Sequence, residues 1–229
     1  MSKFILIKTI VTSDFGKVIA QAHGVKALET LTGFKFIGEQ VKKIDSLGSH
    51  IKLLIGYEES FGFLISPFVR DKDSIQAVVL ASEISLINKI NNQNLYTVLE
   101  SLEKKYGYFY DKLLSYDFNT DNDKIKILNR VNILRKKVPD QILGLNIAAY
   151  EDYQVGERVN KCNQNKVPLS LPKSNVLKIF FSGGSWLAIR PSGTEPKIKT
   201  YISVRGKTDF EAKNLLKKLV CYVNNFLYK

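Results

Sequence analysis

Up to Gly107, short apolar runs alternate with stretches of helical periodicity; beyond it the alternation stops. That break limits the possible folds more than any other feature of the chain. Phe4 to Thr12, Val25 to Leu31 and the run beginning at Ile51 read as strands. Between them, Ser13-Asp14 offers an N-cap for a helix that Gly24 ends, and Phe36 to Ile44 is helical. Asp73 to Asn91 reads as a long helix with Ile75, Val78, Val79, Ser82 and Leu86 on one side. Leu95 to Tyr106 is another, stopped by Gly107. Alternating strands and helices predict an α/β domain over residues 1–107, a mixed sheet with flanking helices.

The second part is strand-rich. Tyr108 to Phe118 reads as extended, Lys124 to Lys136 as helix and Leu143 to Gln154 as strand. Asn175 to Phe181, Trp186 to Arg190 and Lys197 to Val204 follow as successive antiparallel strands. Asp209 to Leu227 closes the chain as a helix, acidic near its start and carrying Lys217-Lys218 nearer its end. The polar, proline-containing stretch from Gly156 to Lys173 reads as a loop. An α+β domain over residues 108–229 is expected, an antiparallel sheet with helices on one side. A length of 229 residues suits two ordinary domains, and a hydrophobic fraction of 45% is ample for their cores.

Between two of those strands lies Arg190-Pro191-Ser192-Gly193-Thr194-Glu195-Pro196-Lys197-Ile198-Lys199. Arg190 carries a planar fork of donors that fits two phosphate oxygens. Ser192 and Thr194 bring hydroxyls, and Lys197 and Lys199 bring point charges. Gly193 lets backbone amides approach an anion and can take φ > 0 to form a concave nest. Pro191 and Pro196 limit the entropy lost on binding. It is not a Walker loop, which needs Lys-Ser/Thr opening a helix. Composition alone fits an ordinary Pro- and Gly-rich hairpin turn equally well.

The buried-strand run Ile51 to Ile55 ends in Gly56-Tyr57-Glu58-Glu59-Ser60-Phe61-Gly62. Two carboxylates and a hydroxyl at the carboxyl end of such a strand sit where open α/β sheets hold ligands, although a charged turn leaving the sheet fits as well. Thr32-Gly33 and Arg70-Asp71-Lys72-Asp73 lie in two further polar segments. Lys72 also reads as a solvated charge at a helix start, with Asp73 as the cap. Asp71 and Asp73 work against the lowered pKa that a lysine base needs.

Arg190 to Lys197 resembles the phosphate-binding loop of the α-D-phosphohexomutases, the phosphoglucomutases and phosphomannomutases. Gly56 to Gly62 resembles the family's sugar-binding loop, and the resemblance implies that Glu58 and Ser60 hold sugar hydroxyls. Thr30 to Gly38 resembles its specificity loop, which implies that Thr32 and Gly33 help read the sugar's orientation. Arg70 to Asp73 resembles its R-x-K-D segment, with Lys72 as acid/base; Ser74 stands where the family often has Gly. The phosphate would fall to Arg190, Ser192, Gly193, Thr194 and Lys197.

The resemblance covers essentially the whole chain but only the family's third and fourth domains, with 1–107 as the sugar-binding third domain and 108–229 as the phosphate-binding C-terminal one. No Ser-His-Asn-Pro loop occurs, and Asp121-Asn122-Asp123-Lys124 lacks the glycines and arginine of the family's magnesium loop. It reads as a solvated turn and helix cap. The resemblance implies interconversion of hexose 1-phosphate and hexose 6-phosphate through a phosphoserine and a hexose 1,6-bisphosphate, which also serves as activator. Mg2+ would be held outside this chain. The expected partners are a hexose phosphate and the missing N-terminal domains, in the same or a separate chain. A non-catalytic sugar-phosphate-binding module or half of a split enzyme is the alternative, and the chain alone is expected to be inactive.

The formal charge of +12 raises nucleic acid as a partner, but the lysines are scattered over amphipathic helix faces and no reading motif accompanies them. Nucleic acid and membrane are not expected partners. No apolar run has transmembrane length, and no signal peptide precedes the first strand. Cys162 and Cys221 are isolated, which argues against zinc and redox chemistry and fits a cytoplasmic protein.

Overall fold

The computed structural model describes residues 3–46, 50–193 and 195–227. The chain forms two compact units, Met1–Gly107 and Tyr108–Lys229.

The first unit is built on strands β1 (Phe4–Thr9), β2 (Lys26–Thr30), β3 (Lys52–Tyr57) and β4 (Phe63–Leu64), in the order β2-β1-β3-β4. β1 pairs in parallel with β2 and β3, and β4 is antiparallel to β3. Helices α1 (Phe15–Ala22), α2 (Phe34–Ser46), α3 (Ser74–Ile90) and α4 (Leu95–Tyr106) complete it. Phe34, Ile37 and Val41 of α2 pack on Ile7, Leu53 and Leu64 of the sheet. Each such buried side chain contributes about 1.5–3 kcal/mol. The fit is close, since a Cβ on Gly56 would lie 2.7 Å from Ile37 Cγ2. Position 56 of β3 therefore has room only for glycine.

The helix ends follow their capping residues. Asp73 accepts from the Ile75 and Gln76 amides at 2.9 and 3.3 Å to start α3, and Asn94 with Thr97 forms a capping box for α4. Asp14 occupies the N-cap position of α1 but makes no side-chain cap bond, because its carboxylate turns to Lys8. The stripe expected on one side of α3 is not buried: Ile75 is 74% exposed and Val78 65%, and none of the helix's described residues is buried. α3 is apolar nearly all round, so its composition favours no single face against the short β4.

The second unit is an antiparallel sheet of β5 (Tyr108–Asp117), β12 (Lys197–Gly206), β11 (Trp186–Pro191), β10 (Leu177–Phe181), β7 (Leu145–Asp152), β8 (Glu157–Asn160) and β9 (Lys166–Pro168), in that order, with β6 (Gln141–Ile142) paired to β7. Helices α5 (Asp121–Lys136) and α6 (Asp209–Leu227) share one core with it. Ile127 and Val131 of α5, and Leu219 and Val223 of α6, meet Ile189, Ile198 and Ile202 of the sheet there. Thr120 caps α5, so the Asp121–Asp123 cluster forms its first turn, where acidic groups suit the helix dipole. An α/β domain followed by an α+β domain is therefore the observed architecture. The expected loop from Gly156 to Lys173 instead holds β8 and β9, a hairpin at the sheet edge. Its strands carry few apolar residues because β9 is exposed along its length, and Lys166 and Pro168 are residues that edge strands tolerate. Among the described residues no helix is long and apolar enough to cross a membrane.

Candidate functional site

In the first unit the strand order turns at β1, since β2 and β3 lie on opposite sides of it. Open α/β sheets bind ligands at such a switch point, outside the carboxyl ends of the strands. Three loops leave there: residues 10–14 after β1, Leu31 to Gly33 after β2 and Glu58 to Gly62 after β3.

The Glu58–Gly62 loop is a tight reversal. The Glu58 amide donates to the Gly62 carbonyl at 3.0 Å, and Phe61 takes a positive φ of 64°. A Cβ on Gly62 would lie 2.7 Å from Glu58 Oε1, so glycine is required for the Glu58 side chain to lie where it does. Ser60 and Phe61 are exposed. The two glutamates have different environments. Glu59 Oε2 accepts from the Thr9 hydroxyl at 2.8 Å and the Thr12 hydroxyl at 3.2 Å. Among the described residues no hydrogen bond or ion pair engages the Glu58 carboxylate.

Thr32 is half-buried and Gly33 has φ 114°, a conformation that favours glycine, at the turn into α2. Lys72 belongs to the same end of α2: its ammonium lies 5.7 Å from the centroid of the Phe34 ring. It is exposed and paired with Asp71 at 3.1 Å. The Lys72 amide, then its ammonium, hold the Asp71 carboxyl below its ordinary pKa. The segment is tied down from two sides. Arg70 pairs with Asp45 of α2 at 2.5 Å, and Gln76 Oε1 accepts from the Ile65 and Ser66 amides at 3.0 and 2.7 Å. Gln76 Nε2 also donates to the Asp73 cap at 3.1 Å. Sequence reasoning missed Gln76, whose only signal is its position three residues after a capping aspartate.

Lys8 was missed as well. Its side chain is fully buried, with Nζ 3.1 Å from both Asp14 Oδ1 and Glu29 Oε1. The same ammonium donates to the Thr12 carbonyl at 2.8 Å and the Thr9 carbonyl at 3.2 Å. A lysine inside the apolar run Phe4 to Val11 was the available signal.

In the second unit, Arg190 and Pro191 end β11 opposite Lys199 and Ile198 of β12. The turn between them closes through its own groups. The Ser192 amide donates to the Lys197 carbonyl at 2.8 Å, and the Lys197 amide to the Glu195 carbonyl at 2.7 Å. The Glu195 amide donates to Ser192 Oγ at 3.2 Å. The Phe118 amide, just beyond β5, donates to the Pro196 carbonyl at 2.7 Å and holds the turn from outside. Arg190 and Ser192 are half-buried and Gly193 is exposed. Gly193 does not take the positive φ a concave nest would use, and a Cβ there would meet open space. Thr194 lies outside the described residues. Lys197 pairs with Glu195 at 2.7 Å; this hydrogen bond raises the lysine's pKa and lowers the glutamate's. Cys162 and Cys221 are both exposed free thiols. Among the described residues, no group of three or more His, Cys, Asp or Glu could hold a metal ion.

Comparison with known proteins matches each unit. The family model "Phosphoglucomutase/phosphomannomutase, alpha/beta/alpha domain III" covers residues 2–106, and "Phosphoglucomutase/phosphomannomutase, C-terminal domain" covers residues 131–219. A phosphoglucomutase of Staphylococcus epidermidis is 40% identical over 200 residues, 87% of this chain and 36% of the relative. One of Staphylococcus aureus is 37% identical over 201 residues, 88% of this chain and 36% of the relative. The chain thus spans about a third of the length of these curated relatives. The crystal structure of parafusin, a phosphoglucomutase from Paramecium, in its open form, shares the fold with a TM-score of 0.68 at 20% identity, covering 98% of this chain and 38% of that one. An open α/β unit whose strand order switches at β1 is followed by an antiparallel unit with a basic hairpin turn. The chain belongs to the phosphoglucomutase/phosphomannomutase, or α-D-phosphohexomutase, family and represents its C-terminal half.

Proposed function

We propose that the chain is the substrate-binding half of a phosphohexomutase that interconverts hexose 1-phosphate and hexose 6-phosphate through a phosphoserine and a hexose 1,6-bisphosphate. The observation that carries this reading is the Arg190–Lys197 turn. It gathers a guanidinium, a hydroxyl, an ammonium and an exposed glycine on one self-closed hairpin. Arg190 grips two oxygens of the phosphate that is not reacting, with Ser192, Gly193, Thr194 and Lys197 around it. Glu58 and Ser60 accept from and donate to sugar hydroxyls, and the Thr32–Gly33 turn reads sugar orientation. Binding made far from the reacting oxygen positions that oxygen, which is what phosphoryl transfer chiefly requires.

Lys72 is the proposed acid/base. Its exposed ammonium lies 3.1 Å from Asp71 Oδ1. Mg2+, which the full enzyme would use, is assigned to residues outside this chain. The phosphoserine is assigned to the family's N-terminal domains, in the same or a separate chain. A coupled mutase assay of the pure chain with Mg2+, glucose 1-phosphate and glucose 1,6-bisphosphate tests this division of labour. No turnover is expected, and turnover by this chain alone would contradict it.

A further inference from the structure

We infer that Glu59 is a positioning residue: its carboxylate clamps the Glu58–Gly62 loop to the Thr9 and Thr12 hydroxyls across the switch point, while buried Lys8 holds the end of β1 and the loop after it, which carry them. This rests on the reading of Glu58 and Ser60 as sugar-binding groups. A carboxylate only accepts, and each threonine hydroxyl has one proton to give. Thr9 Oγ1, Thr12 Oγ1 and Glu59 Oε2 lie within 2.8 to 3.2 Å of one another. The two protons therefore run toward one oxygen, Thr12 giving to Thr9 or Glu59 and Thr9 giving to Glu59. Hydrogen bonds to a charged acceptor are the strong ones, and a chain of them is mutually reinforcing. Oε2, accepting from two hydroxyls, is committed to the clamp, whereas Glu58, one residue earlier, keeps its carboxylate unengaged among the described residues.

The receptor for Glu59 is itself rigid. Thr9 is completely buried and Thr12 nearly so. Lys8 Nζ lies under both, donating to their carbonyls and facing the Asp14 and Glu29 carboxylates. The same two threonines are thus held by their carbonyls from Lys8 and by their hydroxyls from Glu59. Joining adjacent loops at the switch point fixes where Glu58 and Ser60 stand, and a binding group must be held to within about 0.5 Å to be productive.

Amide hydrogen exchange on the full chain, with calorimetric titration of glucose 6-phosphate, tests the clamp. Glu59→Ala should speed exchange of the Glu58 amide, which bonds to Gly62, about tenfold or more while β1–β2 amides keep their rates. Thr12→Val should move the same amide in the same direction. Glu59→Gln, whose side-chain oxygen can still accept both hydroxyls, should stay within about threefold of the wild-type rate. Glu58→Ala should leave the remaining loop rates as they are but weaken glucose 6-phosphate binding. Unchanged exchange in Glu59→Ala would overturn the inference, as would loosening spread equally through the unit. So would a loss of binding in Glu59→Gln as large as in Glu58→Ala with exchange intact, because Glu59 would then be a direct ligand. If the wild type binds no glucose 6-phosphate, the sugar-loop reading falls, and the exchange rates alone still decide whether the clamp exists.

Discussion

The carbonyl oxygen of Arg70 fills the space that a side chain on Gly38 would need: a Cβ built on Gly38 would sit 2.2 Å from it. Helix α2 therefore lies directly on the backbone of the segment that carries Lys72. Gly38→Ala should lower stability by about 1–3 kcal/mol in urea titration, because backbone cannot move aside as a flexible side chain does. The loss should appear although alanine is about 1 kcal/mol the better helix former. A neutral or stabilising result would mean that the Arg70 segment yields easily, and Lys72 with it.

Gly193 gives the opposite case. Its backbone is not in the left-handed region, and a Cβ there meets nothing within 4 Å. Gly193→Ala should therefore leave the melting temperature unchanged, within about 0.5 kcal/mol of stability. It should nonetheless weaken glucose 6-phosphate binding several-fold, because the open space is where the phosphate is proposed to sit. Unchanged affinity would argue that the anion does not touch this part of the turn.

Lys197 is shared between its present partner Glu195 and the proposed phosphate. Glu195→Gln should tighten glucose 6-phosphate binding about two- to fivefold at low salt, and the gain should shrink as salt rises. The pH limits follow from the shifts. Glu195 is lowered from 4.5, so its favourable contribution is complete above 4.5 and fades as pH falls through its lower folded value. Lys197 is raised from 10.5, so its contribution is complete below 10.5 and fades as pH rises through its higher folded value. Acid should not mimic the substitution, because a phosphate ester loses its second charge near pH 6, well before Glu195 is protonated. A titration of affinity against pH from 5 to 9 in both proteins checks this.

Ile75, Val78, Val79, Leu86 and Ile87 of α3 are all more than half exposed. Apolar surface of that kind binds hydrophobic dyes and promotes association. Val79→Glu with Leu86→Lys should reduce dye fluorescence and raise solubility without lowering the melting temperature, because neither side chain is buried in the chain's own core. A clear loss of stability would show that the helix packs more tightly than its exposure indicates.

What the sequence revealed and what it hid divide along sequence separation. The Arg190–Lys197 turn closes through bonds among residues 192–197, so its chemistry can be read from consecutive residues. The same holds for the Asp73 and Asn94 caps. Adjacent Glu58 and Glu59 look interchangeable because what separates them is Thr9 and Thr12, about fifty residues upstream. Lys8 is buried at no penalty visible in the sequence because Asp14 and Glu29 reach it from the next loop and from β2. The exposed stripe of α3 shows the remaining limit: an apolar pattern records what a face is suited to bury, not what covers it. The β8–β9 hairpin escaped notice for the converse reason, since edge strands need no apolar alternation to pair.

Calorimetric titration of glucose 6-phosphate into this chain and into its Arg190→Ala variant addresses the central claim most directly. Saturable binding by the wild type, lost in Arg190→Ala at an unchanged melting temperature, is the predicted result. Binding that survives Arg190→Ala undiminished would contradict the assignment of the Arg190–Lys197 turn as the phosphate site.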